Sequence, residues 1–284
     1  MASMFSLPIL GVTAALSAAV SWGGGDFSGG LASRRHHPFQ VVYLSSITSL
    51  VPLVLLALFS GEGMASLRSI ALATAAGATG TLGLAAFYRG LLVGRASVVS
   101  PVAAVLGAIV PILVGVLRAG LPTTPTLFGF GAGLLAIWLL GGGGTALAGE
   151  DGEELRMALL AGVGFGAFLT LIALVDPGQI YIPLVFSKLG SLFVAALVVW
   201  RQGWGFPGLL SNKFAVLAGL LDTGGNIFYL LAAQWARLDV VAVLASLYPA
   251  GTVILSRLIL NEKMTRRSWG GLLVALLAIA LIGR

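Results

Sequence analysis

The stretch Asn226–Gly283, NIFYLLAAQWARLDVVAVLASLYPAGTVILSRLILNEKMTRRSWGGLLVALLAIALIG, decides the fold. It holds, in order, an apolar span, a tight polar turn at Ala236–Asp239, a second span, a charged turn around Asn261–Arg267 and a third span. The same grammar stands 142 residues earlier, where Arg95, Ser97, Val98 and Val99 match Arg237, Asp239, Val240 and Val241, Gly129 matches Gly271 and Gly141 matches Gly283. The offset is half of the 284 residues. One duplicated unit is the simplest account.

Composition fixes the solvent. A chain that is 58% hydrophobic and 9% charged, with mean hydropathy +1.03, has more apolar surface than a water-soluble core can hide, so the bilayer must receive it. Backbone groups find no partners in hydrocarbon, which leaves helices or a closed barrel, and unbroken apolar runs of about 20 residues select helices. The net charge of +6 comes from Lys and Arg at span ends, where they anchor helices to the interface, so nucleic acid is excluded as a partner. The absence of cysteine removes disulfides, thiolate catalysis and Cys-ligated metal. Residues 1–10 carry no Lys or Arg and the first apolar segment contains Asp26, which reads as a retained span and not a cleaved signal.

Breaks at charges, Pro and Gly clusters predict spans near 9–31, 39–60, 69–91, 97–117, 125–147, 156–175, 180–200, 212–235, 240–260 and 268–283. The most polar stretch, 148–154 (AGEDGEE), lies at the middle of the chain. The expected organisation is a first five-helix repeat over 1–147, a polar connector over 148–155 and a second five-helix repeat over 156–284. Five crossings are an odd number, so the second copy enters the membrane from the opposite side. The expected fold is an all-α membrane protein with ten transmembrane helices as two inverted repeats, an architecture whose halves rock about a midplane site.

Several marks carry a resemblance. An aromatic helix containing Tyr229 is followed by the turn Ala236–Asp239, a helix with Tyr248-Pro249, the turn Leu260-Asn261-Glu262-Lys263-Met264-Thr265 and a Gly-bearing last helix. Trp22-Gly23, Phe87-Tyr88 and Pro111 supply the counterparts in the first half. Together these resemble the EamA-type transporters of the drug/metabolite transporter superfamily. Two departures stand out: Asn261 replaces the usual Gly, and the first-half turn Arg118–Thr124 lacks the Glu. The resemblance implies a multi-pass protein of the bacterial cytoplasmic membrane that exports or exchanges small organic solutes, such as amino acids or related metabolites, with drugs, sugars and nucleotide derivatives as the alternative cargo. It also implies cytoplasmic termini. Charge bias argues the reverse, since four basic residues would then lie inside against eleven outside. Orientation and oligomeric state stay open.

Ionisable groups at membrane depth cost about 2.5–3.5 kcal/mol each on translocon scales and normally face a cavity or a partner. Lys188 and Asp222 lie near the middle of spans seven and eight, where the first half has Ser46 and Gly80. They are candidates to bind a charged part of the substrate or to carry a proton, which makes protons the candidate coupling ion. Asn226 lies one helical turn from Asp222. Asp26 and Arg89 are candidates for a gate toward one face, while Arg257 reads as a snorkelling side chain. Trp22, Tyr88, Tyr229 and Tyr248 fall in the spans that surround the central cavity of the resembled family and are candidate substrate contacts.

An enzyme reading also exists. Gly23-Gly24-Gly25-Asp26 fits the pattern of intramembrane aspartyl proteases and Asp222-Thr223-Gly224 mimics a soluble one, so Asp26 and Asp222 could share a proton and activate water. Against it, the second motif lies inside an apolar span and the two carboxylates differ in depth. His36 and His37 have no neighbouring carboxylate to complete a metal site, and no glycine run continues into a phosphate loop. The expectation is therefore a non-enzymatic carrier without metal or cofactor, driven by a gradient or by exchange.

Overall fold

The computed structural model describes residues 6–93, 96–140, 152–259 and 266–282. Among them every regular element is an α-helix: α1 (Ser6–Ala32), α2 (Pro38–Phe59), α3 (Leu67–Val93), α4 (Ala96–Ala119), α5 (Thr124–Leu140), α6 (Glu153–Ala173), α7 (Tyr181–Arg201), α8 (Lys213–Trp235), α9 (Leu238–Ala245), α10 (Tyr248–Ile259) and α11 (Arg266–Ile282). Residues 148–151 of the expected connector, the turn 260–265, Arg95 and the Arg257 side chain lie outside the described residues. The connector's tail does not remain a loop, because α6 already starts at Glu153, where Glu153 and Glu154 put negative charge in the first turn.

Among the described residues, six segments are long and apolar enough to cross a membrane: α2, α3, Val102–Ala119 of α4, α6, α7 and α8. Shorter apolar helices cover Thr124–Leu139, Leu238–Thr252 and Trp269–Ile282. Large apolar side chains such as Val20, Leu117, Phe128, Phe193 and Trp200 stand exposed on the outside, as they do where the solvent is lipid. The protein is a multi-pass integral membrane protein.

The ninth expected span, 240–260, is not one helix. It is divided at Ser246–Leu247 into α9 and α10. Pro249 has no N–H to give the Ala245 carbonyl, and the backbone tightens instead, with the Leu247 N–H donating to Leu244 O at 3.2 Å and the Ala250 N–H to Leu247 O at 2.9 Å. Pro249 then sits in the first turn of α10, where its fixed φ is tolerated.

Packing between helices rests on small residues and repeats with the helix roles exchanged. The Ser49 hydroxyl on α2 donates to Gly219 O on α8 at 2.7 Å, and Ser191 on α7 donates to Gly77 O on α3 at 3.0 Å. Ser49 and Ser191 stand 142 residues apart, as do Gly77 and Gly219. A Cβ on Gly77 would overlap the Ser187 carbonyl, and one on Gly219 would overlap the carbonyl of Ser45, its counterpart at the same offset. Phe87 and Tyr229, another such pair, are both fully buried. Small residues let these backbones approach closely, as the membrane interior requires for helix association. Helices α5 and α11 pack against each other, away from the space enclosed by the remaining helices.

Candidate transport cavity

Helices α1 to α4 and α6 to α10 leave between them a cavity of about 90 Å³, room for several waters or part of a small organic solute. Its wall is mostly apolar, with Trp22, Phe165, Phe168 and Tyr248 as the aromatic members. Trp22 packs edge-on to Phe168 at 6.5 Å, and Tyr248 edge-on to Phe165 at 6.5 Å. Ala245 and Ser246, at the break between α9 and α10, complete one side.

Among the described residues, three charged side chains line this cavity: Asp26 from α1, Lys188 from α7 and Asp222 from α8. Lys188 and Asp222 form an ion pair, with side chains 10% and 26% exposed, so the carboxylate keeps access to the cavity. The Asn226 amide, one turn along α8, donates to the same Asp222 oxygen at 3.1 Å. Burial of these charges is tolerable because each has a partner. Asp26 is different: it is 9% exposed and has no hydrogen-bond or ion-pair partner among the described residues. Two more polar atoms of the wall, Asn226 Oδ1 and the Tyr248 hydroxyl, are buried without a partner. Buried groups left open in this way normally meet water or a ligand.

Polar ties close the structure at both faces. On the face that carries the α2–α3, α6–α7 and α8–α9 turns, Glu62 accepts from the backbone N–H groups of Ile180, Tyr181 and Ile182 at 2.9–3.2 Å, capping α7 with a negative charge at its positive end. Asp176 accepts from Ser66, donates its own N–H to Ser69 Oγ at 2.9 Å and lies 3.6 Å from Arg68. The hydrogen bonds from Ser66 and Ser69, helped by Arg68, hold its carboxyl below the usual range. Arg237 donates to the carbonyls of Ala119 at 3.2 Å and Gly120 at 2.6 Å and pairs with Asp239 at 2.8 Å, which raises the guanidinium pKa. On the other face Arg89 pairs with Glu153 at 3.2 Å, Gln40 donates to Gly205 O at 2.7 Å, and Asn212 donates to Ala32 O at 3.0 Å. His37 lies against Trp204 with ring centroids 3.8 Å apart and the planes tilted, and burial, followed by the charge of Arg89, lowers its pKa.

The sequence profile of the EamA-like transporter family matches the chain twice, over residues 9–142 and 155–284. The chain belongs to the EamA-like transporter family. Among 27 matching chains of solved structures, one titled "Crystal structure of protein" superposes with a TM-score of 0.71 at 14% identity, covering 95% of each chain, which shows a shared fold. No curated protein matches this EamA-like chain in sequence.

The structure places Trp22, Asp26, Lys188, Asp222, Asn226 and Tyr248 of this EamA-like transporter on the cavity wall. Tyr88 and Tyr229 do not line it. Tyr229 is wholly buried behind Trp22, with ring centroids 5.4 Å apart, and its hydroxyl donates to Leu169 O at 2.9 Å. Tyr88 packs beside Phe87 with its hydroxyl against Gly29, where a Cβ would overlap it. The expected Asp26–Arg89 gate is not formed, since Arg89 is half-exposed and paired with Glu153 while Asp26 faces the cavity. The two carboxylates of the protease reading share no hydrogen bond among the described residues: Asp222 accepts from Lys188 and Asn226. His36 meets the Asn212 amide at 3.1 Å, and the described residues contain no cluster of metal-ligating side chains.

Sequence reasoning missed Phe165, Phe168, Ser191 and Ser246 of the wall. A signal existed for one of them, because Phe168 stands 142 residues from Asp26 and so occupies the matching place in the second half.

Proposed function

We propose that this EamA-like protein is a secondary transporter that carries a small organic solute by alternating access, with the cavity between its halves as the binding site. The observation that carries the reading is the combination of a mostly apolar cavity with an ion pair and, among the described residues, three unpartnered polar groups contributed by both halves. Such convergence of a few polar groups in an apolar concavity suits a small-molecule site, and its location between repeats suits rocking of one half against the other.

The finer reading has ten crossings, with α9 and α10 together forming one, grouped as 1–147 and 156–284 around the connector 148–155 in inverted orientation. The exchanged bonds of Ser49 and Ser191 support that inversion. The cargo is an amino acid or related metabolite, exchanged or exported across a bacterial cytoplasmic membrane, with protons as the coupling ion. Proteoliposomes loaded with a mixed amino-acid pool test this. Saturable counterflow of a labelled amino acid is the expected result, and absence of counterflow with every member of the pool would remove the amino-acid cargo.

A further inference from the structure

The charges of the cavity do not balance. Asp26, Asp222 and Lys188 are its charged lining residues, and Lys188 is taken by Asp222. One carboxylate, that of Asp26, is left over, 91% buried and without a partner among the described residues. An isolated ionised carboxylate in such a place is costly unless a cation or a proton joins it.

The other open groups of the wall point the same way. The Asn226 side chain directs its NH2 to Asp222, so the atom it leaves open is its oxygen, an acceptor. The Tyr248 hydroxyl, also open, accepts as well as donates. Among the described residues the acceptors left open therefore include the Asp26 carboxylate, Asn226 Oδ1 and Tyr248 Oη. The rings of Trp22, Phe165, Phe168 and Tyr248 add π faces and apolar area. A substrate carboxylate would find no cation except Lys188, already engaged.

We propose that the cavity takes a small organic monocation, an ammonium group on an apolar body, with Asp26 as its counter-ion. The proposal rests on the transporter reading for the role of this ligand as cargo and departs from its amino-acid cargo, since it favours amines over zwitterionic amino acids. When the amine is absent, Asp26 is the place for a proton. The groups around that site are Asp222 on α8, its partner Lys188 on α7, Tyr88 on α3 and Tyr248 on α10. Amine and proton exclude each other there, so binding of the cation displaces the proton.

The test is calorimetric titration of the full-length protein in phosphatidylcholine nanodiscs with phenethylamine, phenylalanine and 3-phenylpropionate, which share one apolar body and differ in charge. Phenethylamine is expected to bind saturably and at least ~10-fold more tightly than either analogue, the difference expected of a charge-assisted contact. Its affinity should fall about 10-fold per pH unit once Asp26 is protonated, and titration in buffers of different ionisation enthalpy should show proton release. Asp26→Asn should lose the binding and Asp26→Glu should keep it. The wild-type pH series decides the matter even if Asp26→Asn fails to fold. Equal or tighter binding of phenylalanine, pH-independent binding, no saturable phenethylamine binding, or unchanged binding by folded Asp26→Asn would each overturn the proposal. Binding without any counterflow of phenethylamine would instead sink the transporter reading and leave the cation site standing.

Discussion

The two halves of this EamA-like transporter keep the same seams and carry different chemistry. At the seams, Ser49 and Ser191 make the same hydrogen bond with roles exchanged, and Gly77 and Gly219 make the same close approach. In the cavity the symmetry is gone. Lys188 stands where the first half has Ser46, Asp222 where it has Gly80, and Asp26 of the first half is matched by Phe168. Helix α4 runs unbroken from Ala96 to Ala119, whereas its counterpart is split into α9 and α10, with Pro249 at the position matched by Gly107. The lesson is a division of labour: contacts that hold the halves together tolerate little change on either side, while residues facing an open volume are free to differ.

The largest effect is expected at the unshared charges. Lys188→Met or Asp222→Asn alone takes the opposite charge from the other partner and should cost up to about 3–5 kcal/mol of stability, more where the deeper Lys188 is left alone than where Asp222 is, which keeps Asn226. Each variant should lose transport, while the double variant Lys188→Met/Asp222→Asn should regain most of the melting temperature in detergent without regaining counterflow. A double variant no more stable than either single one would show that the pair does not act as a unit.

Next come the seam glycines. Gly77→Ala and Gly219→Ala should each cost about 1–3 kcal/mol, because the added methyl must displace a carbonyl and not a flexible side chain. Similar losses of melting temperature at the two positions would sharpen the comparison. A loss confined to one of them would break it.

The smallest effect belongs to the exchanged hydrogen bonds. Ser49→Ala and Ser191→Ala should each cost about 0.6 kcal/mol, the average for interhelical bonds in a membrane. Their effects should add in the double variant, since the two bonds lie on different helix pairs. Thermal unfolding of the three proteins checks both points.

Much of this was legible in the sequence because the bilayer writes a coarse signal. Apolar length marked the spans, and the 142-residue offset marked the duplication, as the double match to the family profile shows. Charges at membrane depth led directly to Lys188 and Asp222, since so few ionisable residues lie within apolar runs. The face a helix turns inward was harder to read. Lipid and core are both apolar, so the helix periodicity that marks a buried side in water is flattened. Trp22 and Tyr229 therefore looked alike as candidates, although one lines the cavity and the other fills the core behind it. The partner of Arg89 was hidden for another reason: Glu153 belonged to a stretch read as connector, and only the start of α6 there sets it beside α3. Pro249 was visible, but an apolar run continues on both sides of it, so hydropathy alone did not reveal the interruption.

That interruption divides one apolar segment into two separately held parts. Helix α4 is one continuous rod, whereas the α9–α10 segment is broken at Ser246–Leu247, beside the cavity. Its α9 arm is buried from Asp239 to Ala245 and moored by Arg237 to the turn after α4. The two parts of the segment are thereby held by different partners, α9 by its burial and Arg237, and α10 by α1, where the Thr252 hydroxyl donates to Gly23 O at 3.2 Å.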